Sequence, residues 1–132
     1  MMMRVKVAIA IIINNENKIL IARRPEGKPH PGLWEFPGGK IEQGETVEDA
    51  LKREVYEEVH LKVETAELFK QVQHDYKEEL VFLNFMRVTK FTGDAIGKEN
   101  QPIRWIKLQD LAKYTFPKAS DVVIEQLLTT LS

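Results

Sequence analysis

Three glutamates at helical spacing are the residues of this sequence best suited to chemistry. Glu54, Glu57 and Glu58 stand at positions i, i+3 and i+4, which places them within an arc of about 100° on one helical face. Like charges at this density repel one another and lose water beside an apolar face, so they cost stability unless a cation compensates them. Carboxylate oxygens suit a hard divalent ion, and the spacing therefore predicts a site for Mg²⁺ or Mn²⁺.

The helix that carries these glutamates is predicted to span residues 47–59. Thr46 is a suitable N-cap with Asp49 three residues on, and neither Gly nor Pro interrupts the segment. Glu54 and Glu58 fall among the apolar residues that define the core-facing side. An acidic surface helix with charge pairs four residues apart is the simpler interpretation, but it leaves that crowding unexplained. The apolar residues are Val47, Ala50, Leu51, Val55 and Val59.

Strands are predicted on both sides of this helix. Residues 4–13 and 18–24 are rich in Val and Ile and flank a polar turn, which predicts a β-hairpin. Residues 79–90 carry apolar side chains on both faces, which is typical of a strand in the middle of a sheet. Further strands are predicted at 61–74 and 103–108. Together these elements predict an α+β fold.

Loops and the last helix complete the predicted layout. Residues 25–32 hold three prolines and two glycines, so they are expected to form a loop. A helical turn at 109–113 precedes a final helix at 121–131, with Ser120 as a candidate N-cap. The side chains expected to pack on the sheet are Val122, Val123, Leu127 and Leu131.

Composition limits the function classes. At 132 residues we expect one domain covering 1–132, and a formal net charge of -1 argues against binding of polymeric nucleic acid. The absence of cysteine is compatible with a reducing cytoplasm and excludes a thiol nucleophile. The apolar run 7–13 is too short to span a bilayer, so no membrane association is expected. No long apolar edge calls for a partner, and we expect a monomer.

The segment 39–61 resembles the Nudix box of Nudix hydrolases. Gly39, Glu45, the run 53–59 and Leu61 stand at the family's spacing, which fixes many positions. His60 replaces the usual Gly at the helix end, where it predicts a strained cap. The resemblance implies an α/β/α sandwich around a mixed β-sheet.

Residues outside the box resemble the MutT-type branch, which cleans the nucleotide pool. The matching segments are 23–24, 34–42, 44–46, 97–99, 116–117 and Ala119, which together extend over nearly the whole chain. This resemblance implies hydrolysis of a nucleoside triphosphate to the monophosphate and pyrophosphate, but it does not by itself fix the base. We expect 8-oxo-dGTP or a related damaged deoxynucleotide as the substrate. It implies a small-molecule nucleotide as the partner.

The resemblance also assigns the acidic residues. Glu54, Glu57 and Glu58 are expected to bind the divalent ions, helped by the Gly38 carbonyl and by Glu99. Glu54 and Glu57 are expected to be catalytic, with Glu54 activating water; a metal lowers the pKa of such water. Mg²⁺ is the expected cofactor, with Mn²⁺ as a substitute. Glu45 and Arg53 are expected to orient this group of residues through an ion pair.

Substrate contacts are expected at the loop before the box and near the last helix. Strand alternation aims only one of Arg23 and Arg24 toward the site, and the resemblance favours Arg24 for phosphate contact. The family commonly has Asn where this chain has Ser120, which leaves Ser120 open as a base contact or a helix cap. The expected substrate-binding residues are Arg24, Glu35, Phe36, Pro37, Gly38 and Ser120.

Two alternatives follow from the same residues. The Ser120 departure keeps a pyrimidine or 5-methylcytosine nucleoside triphosphate open as the preferred substrate. A catalytically silent binding module is the other alternative, but such a module is normally marked by lost box carboxylates, and this chain keeps all of them.

Overall fold

The computed structural model describes residues 3–24, 32–98 and 101–130. Within these ranges the strands are β1 (Met3–Ile12), β2 (Lys18–Arg23), β3 (Trp34–Glu35), β4 (Gly38–Lys40), β5 (Lys62–Tyr76), β6 (Glu79–Thr92) and β7 (Ile103–Lys107). The α-helices are α1 (Val47–Val59) and α2 (Asp121–Thr130), and two 3₁₀ helices cover Leu108–Lys113 and Lys118–Ser120. No helix of the described residues is long and apolar enough to cross a membrane.

The strands form two sheets. The larger has the order β4-β1-β6-β5 and the smaller has the order β3-β2-β7. β1 runs parallel to β6 and antiparallel to β4, which confirms the predicted mixed sheet. β6 lies between β1 and β5, as its two apolar faces predicted.

The predicted hairpin of β1 and β2 is wrong. β1 pairs with β4 and β6, whereas β2 pairs with β3 and β7. Between their ends the pairing is limited to the bridge from Ile13 to Ile19 and a hydrogen bond from the Asn14 N–H to the Lys18 carbonyl at 2.9 Å, while the Asn14 side chain accepts from the Glu16 and Lys18 N–H groups within the turn. The local turn therefore forms, but the strands separate because each finds a longer partner elsewhere in the chain.

The two helices pack on opposite faces of this strand arrangement. One core joins α1 to Ala8, Ala10 and Ile12, and the other joins α2 to Ile11 and Phe85. Adjacent β1 residues enter different cores because strand side chains alternate between faces. The predicted α/β/α sandwich is thereby confirmed.

Helix α1 has the predicted bounds. Thr46 Oγ1 accepts a hydrogen bond from the Asp49 N–H at 3.1 Å, which fixes its start. The chain leaves the helix at His60, whose φ of 60° and ψ of 21° are left-handed, a conformation that costs a non-glycine residue some strain. The His60 N–H still donates to the Tyr56 carbonyl at 3.0 Å.

Helix α2 departs from prediction in one side chain. Val123 and Leu127 are buried as expected, but Val122 is 42% exposed and does not pack on the sheet. Ile124 packs against the core in its place, because the helix turns through about 100° per residue and its apolar face is centred one position further on. Leu131 lies outside the described residues.

Candidate active site

The Gly38–Gly39 turn brings strand β4 against both β1 and helix α1. In the register Gly38 lies opposite Ile9, and Gly39 lies opposite Ala8. A Cβ atom at Gly38 would overlap the Ala8 carbonyl oxygen, and one at Gly39 would overlap the Glu54 carboxylate. A side chain at Gly38 would therefore clash with the backbone of a core strand, whereas one at Gly39 would displace the carboxylate of a predicted site residue.

The three predicted glutamates of α1 have different surroundings. Glu54 is 17% exposed, and its Oε1 accepts from Arg53 Nη1 at 2.7 Å. Glu58 Oε2 accepts from the Gly38 N–H at 3.1 Å and so ties the helix to β4. Glu57 is 49% exposed, with its Oε2 atom 3.6 Å from Arg53 Nη1. Glu54 and Glu58 thus border the glycine turn, whereas Glu57 lies at the open side.

The carboxylates do not form a compact cluster as they stand. No group of three or more Asp, Glu or His side chains within residues 3–24, 32–98 and 101–130 is arranged to hold a metal ion. Each predicted ligand on α1 instead contacts Arg53 or Gly38. Their oxygen donors still match the chemistry of a hard divalent ion. Glu99, the predicted ligand on the opposite loop, lies outside the described residues.

Arg53 joins Glu45 to Glu54. Its Nε and Nη2 atoms donate to the two Glu45 carboxylate oxygens, each at 2.8 Å, and its Nη1 atom donates to Glu54. This forked geometry is the strong form of an arginine–carboxylate pair. The Arg53 bonds, followed by the hydrogen bond from the Glu42 N–H, lower the pKa of Glu45 to about 2. The pairing predicted for these residues is present, and it fixes the direction of the Glu54 carboxylate.

Folding stability should depend on pH through Glu45. The pKa of Glu45 is lower in the folded protein than its ordinary value of 4.5. Its contribution to the free energy of unfolding is therefore fully present above pH 4.5 and is lost as the pH falls toward about 2. Urea titrations at a series of pH values measure this loss. The difference in free energy of unfolding between wild type and Glu45→Gln should shrink to zero as the pH falls from 4.5 to about 2. The exposed Glu48→Gln variant serves as control, and a Glu45→Gln gap that persists at the lowest pH would contradict the pairing.

A small cavity of about 220 Å³ begins at the same glycine turn. Arg24 and Glu35 lie at its wall with their charged groups 3.5 Å apart, whereas Arg23 is exposed. Of the two arginines, Arg24, one residue beyond the end of β2, thus lies at the cavity and Arg23 does not. The phosphate contact of Arg24 stays a prediction. The lining residues are Val7, Ile9, Arg24, Glu35, Phe36, Gly38, Gly39, Tyr76, Leu83, Pro117, Ala119 and Ser120.

The lining includes the predicted substrate residues apart from Pro37. That residue is buried in the same turn, and its carbonyl accepts from the Ala10 N–H at 2.7 Å, so it holds the turn on β1. Ser120 is 8% exposed in the short 3₁₀ helix before α2. Its hydroxyl makes no hydrogen bond to the described backbone, and its place in the lining favours the base-contact role over the cap.

The sequence pattern missed the walls that distant strands contribute. Val7 and Ile9 line the cavity from β1, Leu83 from β6, and Tyr76 from the end of β5. Alternation on β1 indicates that Val7 and Ile9 share a face, but only the register with β4 places that face at the glycine turn. A larger open cavity of about 530 Å³ near Trp105 contains none of the predicted site residues, so volume alone does not identify the site.

Comparison with known proteins gives matches over nearly the whole chain. The NUDIX domain model matches residues 2–127. An 8-oxo-dGTP diphosphatase of Escherichia coli (strain K12) is 38% identical over 126 residues, which are 96% of this chain and 98% of that protein. A CTP pyrophosphohydrolase of the same strain is 31% identical over 120 residues, 91% of this chain and 89% of that protein.

A solved structure agrees with these sequence matches. It comes from work on MutT from Aliivibrio salmonicida and Vibrio cholerae and superimposes with a TM-score of 0.84 at 39% identity. The match covers 96% of this chain and 98% of the other. Similarity of sequence and of structure thus extends over the same region, which includes the glycine turn, helix α1 and the cavity.

Proposed function

The chain belongs to the NUDIX family, and from that membership we propose that it hydrolyses 8-oxo-dGTP to 8-oxo-dGMP and pyrophosphate. As a Nudix hydrolase it cleaves the diphosphate linkage of nucleoside triphosphates and uses a divalent metal ion. The choice of 8-oxo-dGTP rests on similarity to the Escherichia coli 8-oxo-dGTP diphosphatase and on the cavity beside the glutamates.

The observation that carries the proposal is the glycine turn shared by the cavity and the acidic helix. Gly38 and Gly39 line the cavity, while Glu58 accepts from the Gly38 N–H and Glu54 lies against Gly39. A base in the cavity would therefore direct its phosphates toward the carboxylates of α1. Arg24, at the cavity wall, supplies positive charge for those phosphates.

The residues around the turn have separable roles. Glu54, oriented by Arg53, takes the proton of the attacking water. Glu54, Glu57 and Glu58, with the Gly38 carbonyl and Glu99, would hold the metal ion. When bound, such an ion neutralises phosphate charge and lowers the pKa of water. Glu57 is the most exposed of the three helix carboxylates, and its ion pair with Arg53 is long at 3.6 Å, so it can turn toward the substrate and serve catalysis with Glu54.

We propose Mg²⁺ as the ion, with Mn²⁺ as a substitute, because both prefer oxygen ligands such as these carboxylates. We further propose a single domain over residues 1–132 that acts as a cytoplasmic monomer on free nucleotides. The formal net charge of -1 supports small nucleotides over polymeric nucleic acid or an anionic membrane surface as the partner.

A pyrimidine substrate is the second candidate, and Ser120 favours it. The serine lines the cavity where an amide side chain would read more of a purine edge, and one relative at 31% identity is named a CTP pyrophosphohydrolase. A 5-methylcytosine nucleoside triphosphate fits the same chemistry. A silent binding module is disfavoured because Glu54, Glu57 and Glu58 are all present.

A substrate panel tests the proposal. Release of pyrophosphate is measured with Mg²⁺ for 8-oxo-dGTP, dGTP, dCTP, CTP and 5-methyl-dCTP, and kcat/KM is compared between them. The highest kcat/KM for 8-oxo-dGTP supports the proposal, and the highest value for a cytosine nucleotide supports the second candidate. Absence of pyrophosphate from every nucleotide, with calorimetric binding retained, would indicate the silent module.

Ser120→Asn should change base preference without changing metal dependence. An asparagine amide both donates and accepts, so it can pair with a purine edge that a hydroxyl reads only in part. We expect the ratio of kcat/KM for 8-oxo-dGTP to that for dGTP to shift by roughly tenfold, the value of one good hydrogen bond. Lys118→Gln is the neighbouring control, because Lys118 is exposed in the same 3₁₀ helix and does not line the cavity. An unchanged ratio would leave Ser120 without a base contact.

A further inference from the structure

A cluster of two aromatic rings and one arginine lies outside the base cavity. The Trp34 and Tyr114 rings meet edge to face, with centroids 5.4 Å apart at 79°. The Arg104 Cζ atom lies 5.0 Å from the Trp34 centroid and 6.0 Å from that of Tyr114. Arg104 Nη1 also donates to the Tyr114 hydroxyl at 3.4 Å. We call these three residues the outer clasp.

The outer clasp connects two chain segments, one running on from Trp34 and one running on from Tyr114, that both contribute to the cavity lining. The Trp34 N–H donates to the Thr115 carbonyl at 2.9 Å. Phe36 lies two residues after Trp34, and Phe116 lies two residues after Tyr114. These two phenylalanines are buried and pack with their ring centroids 5.0 Å apart. The two segments therefore contact each other twice, through the buried Phe36–Phe116 pair and through the outer clasp near the surface.

The walls that contact substrate extend directly from this pair. Glu35 and Phe36 follow Trp34 on one side, while Pro117, Ala119 and Ser120 follow Phe116 on the other, and all five line the cavity. A small change in the separation of the segments would thus alter the width of the space where the base is proposed to bind. Arg104 itself is exposed and is not among the lining residues.

We propose that Arg104 is a positioning residue that sets discrimination between bases by holding the two cavity walls at a fixed separation. It acts through Trp34 and Tyr114 and does not touch the nucleotide. This inference rests on the proposed function, because it assigns the cavity to the base. Attraction between a guanidinium and two ring faces supplies the restraint, and the buried Phe36–Phe116 pair keeps the segments together when that restraint is lost.

Arg104→Ala tests this role through a split between KM and kcat. We expect KM for 8-oxo-dGTP to rise about fivefold, as for loss of a surface cation–π contact. The preference for 8-oxo-dGTP over dGTP should fall by a similar factor, while kcat stays within about twofold because the glutamates are untouched. Arg104→Lys keeps a cation over the rings and should restore part of the preference.

Two further variants separate the clasp from simple charge and from general destabilisation. Trp34→Leu removes a ring and leaves the charge, so it should reproduce the loss of preference. Arg4→Ala removes an exposed strand arginine whose side chain alternates away from the cavity face of β1, and it should match wild type. Thermal melts establish that every variant is folded at the assay temperature.

The outcomes distinguish this inference from the proposed function. A wild-type protein that releases no pyrophosphate from any nucleotide overturns the proposed function. An active wild type whose base preference is equal to that of Arg104→Ala overturns the clasp alone. A loss in Arg104→Ala that Trp34→Leu does not share also overturns it, because the effect would then come from charge and not from the position of the walls.

Discussion

Glu54→Gln is expected to keep the fold and to lower kcat by about 10²- to 10⁴-fold, the usual contribution of a general base. The amide retains an oxygen that can accept from Arg53 Nη1, so the side chain should stay in place. It cannot take a proton from water at neutral pH, and it supplies a weaker metal ligand. Pyrophosphate release at saturating substrate measures the loss.

The control for this prediction comes from the same helix. Glu48 is exposed in the first turn of α1, so Glu48→Gln makes the same chemical change away from the glycine turn. It should leave kcat unchanged within about twofold. Circular dichroism and thermal melts check the fold of both variants. Near-wild-type turnover of folded Glu54→Gln would remove Glu54 from the mechanism.

The helix that carries Glu54 could be predicted from the sequence because its determinants are local. Thr46 and Asp49 form the cap within four residues, and the spacing of Ala50, Leu51 and Val55 defines the buried face. The same periodicity placed the glutamates together. It did not predict that they contact Arg53 and Gly38 individually, because Gly38 reaches the helix only through the fold of β4.

The partners of the strands could not be predicted in this way. β1 and β2 are close in sequence and share a turn, yet Ala8 pairs with Asn84 and Gly39, and Ile21 pairs with Arg104. Strand composition records which residues are apolar but not which distant strand they meet. The outer clasp was missed for the same reason, since Trp34 is far in the chain from Arg104 and Tyr114.

Alanine substitutions at the two adjacent glycines of the turn are expected to affect different properties, stability at Gly38 and activity at Gly39. At Gly38 the new methyl group meets the Ala8 carbonyl oxygen and the Ile9 Cα atom, both backbone atoms of a core strand. Neither can move without disturbing the sheet, and overpacking of this kind costs about 1–3 kcal/mol. Gly38→Ala should therefore lower the urea midpoint and the yield of folded protein.

Gly39→Ala should instead keep most of the stability and lose activity. Its methyl group meets the carboxylate of Glu54, the far end of a flexible side chain that can swing aside. Displacing a catalytic group by about 1 Å can cost about 10²-fold in rate, so kcat should fall while the urea midpoint changes little. Gly44→Ala should give the opposite pattern, because φ is +87° there but no atom lies within 4 Å of the added methyl group, whereas Gly39 has no positive φ. Backbone strain should lower its urea midpoint and leave kcat unchanged. If Gly39→Ala keeps wild-type kcat, the Glu54 carboxylate need not occupy its place against the turn. If it instead unfolds like Gly38→Ala, Gly39 serves the sheet and not the site.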